Sequence, residues 1–104
     1  MSHEIYRYHF GETVPIADVK DSLLLAAFSA EGIHGATQVQ LDARFRLEEE
    51  RRACVIDAST PVGRTIAQVF SSFLVHEFGE GAFTVERVIE TPMAGPAPAM
   101  EAVR

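Results

Sequence analysis

Apolar residues in this 104-residue chain repeat first at one period and then at another, and the order of those periods constrains its fold more than any other feature. Glu4 to Phe10 alternates: Tyr6, Tyr8 and Phe10 point one way, and Ile5, Arg7 and His9 the other. A period of two is the signature of a strand. Downstream, Ile16, Val19, Leu23, Ala26, Ala27 and Ala30 recur at helical spacing, behind Pro15 and ahead of Gly32. Proline suits the first turn of a helix because its missing N–H would be unpaired there, and glycine suits the stop. The segment 33–37 lies between glycines and reads as a loop.

Gln38 to Leu47 returns to a period of two. Val39, Leu41, Ala43, Phe45 and Leu47 alternate with Gln38, Gln40, Asp42, Arg44 and Arg46, which predicts a ten-residue strand with one solvated face. The charged run Glu48 to Arg51 makes a turn, and the near-continuously apolar Ala53 to Ala58 completes a hairpin as a central strand. Ser59 or Thr60 then caps a second helix opened by Pro61. Its stripe is Val62, Ile66, Val69, Phe70 and Phe73, and it stops at Gly79. Phe83 to Ile89 alternates as a fourth strand.

The order β-α-β-β-α-β is the split βαβ pattern. Right-handed crossovers place both helices on one face of the sheet, with the first and third strands central. The expectation is therefore an α+β, βαββαβ ferredoxin-like sandwich: a four-stranded antiparallel sheet with two helices on one face. Residues 1–90 form this single domain, and 91–104, rich in proline and alanine, read as a disordered tail.

Composition removes several functions. The formal net charge is −6, which opposes nucleic acid or an anionic membrane as partner. No apolar run is long enough to span a bilayer, and the first ten residues lack a signal core. Cys54 is the only cysteine, so a disulfide, a CxxC pair and an iron–sulfur cluster are all excluded, and the cytoplasm is the expected location. The four histidines show no metal-ligand spacing. No cofactor or metal is expected. The strand-one aromatics belong under the helices, because burying Arg7 and His9 instead would cost more, and this argues against an RNA-stacking face.

Two places could carry chemistry. The polar side of the sheet brings together Arg7, His9, Asp42, Arg44 and Glu86, with Gln40, Arg46 and Thr84 nearby, as a candidate ligand-binding face. Antiparallel pairing sets His9 beside Ala53 and more than about 10 Å from Asp57, so those two cannot form a dyad. The start of the second helix offers Ser59, Thr60 and Arg64 to an anion, although ordinary capping explains the same residues.

A third feature is surplus apolar surface. Leu25 and Phe28 fall away from the first helix's buried stripe, and Val75 and Phe78 from the second's. The leading expectation is a non-enzymatic interaction or oligomerisation module that forms a homodimer or binds a protein partner. The alternative is a small-ligand-binding or catalytic domain using the polar sheet face.

Overall fold

A computed structural model describes residues 3–90. The elements are β1 (His3–Phe10), α1 (Ile16–His34), α2 (Ala36–Asp42), β2 (Phe45–Glu48), β3 (Ala53–Asp57), α3 (Pro61–Phe78), a 3-10 turn (Glu80–Ala82) and β4 (Phe83–Glu90). The fold is α+β: a four-stranded antiparallel sheet ordered β2-β3-β1-β4, with three helices. The segment 91–104, read above as a tail, lies outside the described residues.

The central strands carry the core. Tyr8, Phe10, Cys54 and Ile56 point to the helices and join Val19, Leu23, Ala26, Val62, Ile66, Phe70 and Leu74 in one buried cluster. Phe70, Ile66 and Leu74 are fully buried, each worth about 1.5–3 kcal/mol relative to exposure. Tyr8 sits at the centre. Its ring meets Phe70 edge-on with centroids 5.0 Å apart, and its hydroxyl donates to the Ala67 carbonyl at 3.2 Å and shares a 2.7 Å hydrogen bond with the Ser71 hydroxyl. Burial pushes the Tyr8 phenol up to about 12, against the lowering effect of the Ser71 bond. Burial likewise pushes the Cys54 thiol up to about 12, with a further push from Glu48.

α1 and α3 run side by side. Ser22 on α1 donates to Glu77 on α3 at 3.0 Å, and His34 meets the Thr65 hydroxyl at 2.8 Å near the opposite end. Thr60 caps α3 by accepting from the amide of Gly63 at 3.0 Å. The start of α3 lies so close to the end of β3 that a Cβ on Gly63 would overlap the carbonyl oxygen of Asp57.

The predicted ten-residue strand Gln38–Leu47 is not a strand over most of its length. Ala36–Asp42 is helical, and only Phe45–Glu48 is extended. α1 runs past Gly32 to His34 and stops at Gly35, whose φ of 89° is open to glycine at little cost. The carbonyl of Gly35 then accepts from the amide of Val39 at 3.1 Å, which starts α2 at once. The apolar alternation is broken: Val39 is 6% exposed and packs into the core with Ala43, four positions on, whereas Leu41 is 61% exposed. The buried spacing is thus helical. Gln38 donates to the Asp42 carboxylate at 2.6 Å across one turn. Asp42 and Gln40 therefore sit on α2 and are removed from the sheet face on which strand alternation had placed them.

Candidate functional site

The uncovered side of the sheet is a grid read from its registers. One row across β2, β3, β1 and β4 is Arg46, Val55, Arg7 and Glu86; the next is Glu48, Ala53, His9 and Thr84. On β3 the side chains are short, whereas those on the flanking strands are long, so a trough follows β3. One end is a depression of about 510 Å³ whose lining includes Arg44, Arg46, Val55 and Asp57. The other, of about 370 Å³, is lined by Arg7, His9, Arg46, Glu48, Arg51 and the β3 residues Ala53 and Val55. Arg46 and Val55 belong to both, so the two are continuous.

Charge on this side departs from that of the whole chain. Arg7 reaches Glu86 at 3.4 Å and Arg46 reaches Glu48 at 3.2 Å. Both are surface pairs, although Glu48 is half-buried, and such pairs are worth about 1 kcal/mol or less. Among the described residues no carboxylate lies within ion-pair distance of Arg44 or Arg51. Of the sequence-predicted face, Arg7, His9 and Glu86 stand on the open sheet, and Arg44 reaches it from the coil before β2. Asp42 does not.

The histidine facing Asp57 is His3, not His9. His3 Nδ1 lies 3.6 Å from Asp57 Oδ2, while Asp57 Oδ1 accepts from the Ser59 hydroxyl at 2.6 Å and from its amide at 2.9 Å. Partial burial raises the Asp57 carboxyl, but the two Ser59 bonds and His3 together outweigh it and hold the group below its ordinary value. Serine, aspartate and histidine are thus neighbours in an order that cannot activate the serine. A nucleophilic triad needs the imidazole between hydroxyl and carboxylate, and here the carboxylate is in the middle.

The second candidate place is occupied by the chain itself. Thr60 is the helix cap, Ser59 is engaged by Asp57, and Arg64 donates to the Ala58 carbonyl at 3.3 Å. The Asp57 carboxylate is already the anion beside that helix start. Arg64 also borders a separate hollow of about 250 Å³ with Glu4 and Arg87, which are themselves paired at 2.7 Å. No group of three metal-ligating side chains occurs among the described residues, nor any helix long and apolar enough to cross a membrane.

Sequence reasoning missed Arg51, Val55 and His3 as members of the open face. Arg51 reads as a turn residue, and only the β2–β3 pairing brings it beside the trough; Val55 could have been found from the register of the hairpin.

Opposite the sheet, the outward side of α1 is apolar. Phe28 is 64% exposed, with Leu25 at 54% and Leu24 at 46%, one turn before it. Residues three and four apart on a helix are neighbours, so the three form one patch. Asp21 flanks it at the preceding turn. In sequence, the chain matches no protein-family model and no curated protein.

Proposed function

We propose that the domain is a non-enzymatic interaction module whose α1 outer surface is covered by a second protein surface, in the simplest case another copy of the chain. One observation carries this reading: Leu24, Leu25 and Phe28 are large, contiguous and exposed on a helix whose other side already supplies the core. Single exposed apolar residues are ordinary, whereas a contiguous group marks a contact surface. We read the fold as a ferredoxin-like variant in which the seven-residue α2 is an added helix; the strand order β2-β3-β1-β4 supports this. A cytoplasmic location belongs to the same proposal and is supported by a single, buried thiol.

Light scattering after size-exclusion chromatography tests it. The wild type is expected at twice the 11.4 kDa chain mass at high concentration, and Phe28→Asp at the chain mass with an unchanged far-ultraviolet circular dichroism spectrum. A wild type that stays at the chain mass at every concentration contradicts self-association.

A further inference from the structure

We propose that the trough along β3 binds a small phosphate monoester with an apolar body. The phosphate would lie among Arg7, Arg46 and Arg51, and the apolar part would run over Val55 toward Ala43.

Four observations support this. Three arginines and His9 line the 370 Å³ end of the trough, against two carboxylates, Glu48 in its lining and Glu86 paired to Arg7. Arg7 and Arg46 stand on either side of Val55, two strand spacings or about 10 Å apart at the backbone, so two long guanidinium arms can converge on one anion above it. Their present partners, Glu86 and Glu48, each hold them through one surface ion pair at 3.4 and 3.2 Å, which a dianion can outcompete. Arg51 has no carboxylate partner among the described residues and is free to add a third charge.

The apolar half follows from the floor. Ala53 is buried despite facing the open side, and Val55 is half-buried. The trough continues over Val55 into the 510 Å³ end, lined in part by Ala43. Inorganic phosphate would fill only one end, and an uncharged ring would give Arg51 no anion. A planar guanidinium fork also suits phosphate oxygens better than a lysine would, and the trough contains arginine only.

Phenyl phosphate is the probe, with phenol and inorganic phosphate as controls, followed by amide shifts in a ¹⁵N-labelled full chain. Saturable shifts at Arg7, Arg46 and Val55 are expected with phenyl phosphate, and at least tenfold weaker binding with either control. Arg7→Gln combined with Arg46→Gln should weaken binding at least tenfold. Arg87→Gln, on the helix side of the sheet, should leave it unchanged, as should Phe28→Asp, which separates this site from the α1 surface. Absence of a saturable shift, binding that survives the double replacement, or inorganic phosphate binding as tightly as phenyl phosphate overturns the proposal. Because both replaced arginines make only surface ion pairs and lie outside the core, loss of folding is not expected. A Val55→Glu variant, which fills the trough with a negative charge, provides an independent check and should abolish the shifts.

Discussion

Two residues show how closely the core is fitted. Gly63 is buried where the first turn of α3 crosses the end of β3, with no room for a side chain against the Asp57 carbonyl. Gly63→Ala should therefore cost about 3 kcal/mol or more in denaturant unfolding, even though alanine is the better helix former. A loss below about 1 kcal/mol would show that the helix start can move away from the strand. Tyr8 gives a pH test. Its folded-state pKa lies above the unfolded value, so the neutral phenol is favoured by folding. That contribution is fully present below pH 10 and is lost as pH rises toward about 12. Unfolding midpoints should fall more steeply across that window for the wild type than for Tyr8→Phe; parallel curves would contradict the assignment. The sequence placed Tyr8 on the helix side correctly because the alternative buried Arg7 and His9. It could not reveal the tightness at Gly63, which depends on the distance between two elements rather than on either pattern.

At the scale of elements, α2 is where pattern and structure part. Five residues, Gln38 to Asp42, fit a period of two and a helical turn alike, and most of them are adequate helix formers. Gly35 decides between them, by ending α1 with a positive φ and starting α2 in the same step. A test follows from the unequal burial of Val39 and Leu41. Val39→Ala should destabilise by about 1–2 kcal/mol, the lost packing being partly offset by alanine's helix preference. Leu41→Ala should change stability by less than about 0.5 kcal/mol. A strand would make the two losses similar. β1, β4 and both long helices were readable because each extends far enough for one period to exclude the other, and β3 because its apolar run is continuous. The hairpin's anchor was not readable. Arg52, at a φ of 52° in the β2–β3 turn, donates to the carbonyls of Gly11 and Val14 and so ties that turn to the loop before α1. Nothing in its charged surroundings distinguishes it from Arg51.

Across the whole molecule, a net charge of −6 conceals a separation. Strand alternation brings Arg7 and Arg46 to one trough, the coil before β2 adds Arg44 and the β2–β3 turn adds Arg51, while α1 presents Leu24, Leu25 and Phe28 on the opposite side of the fold. A charge total cannot express this, since it sums over surfaces that never meet. Arg7, His9 and Glu86 were legible because β1 and β4 alternate cleanly; Asp42 was misplaced because its segment is a helix. The central claim is that the α1 patch is covered in solution. Adding a soluble gadolinium chelate to concentrated, labelled protein measures this directly, by the loss of side-chain NMR signals at exposed positions. The account predicts that Leu24, Leu25 and Phe28 keep their signals while Leu41 loses its own, and that dilution removes the protection. Bleaching of Phe28 as strong as that of Leu41 at every concentration would contradict it.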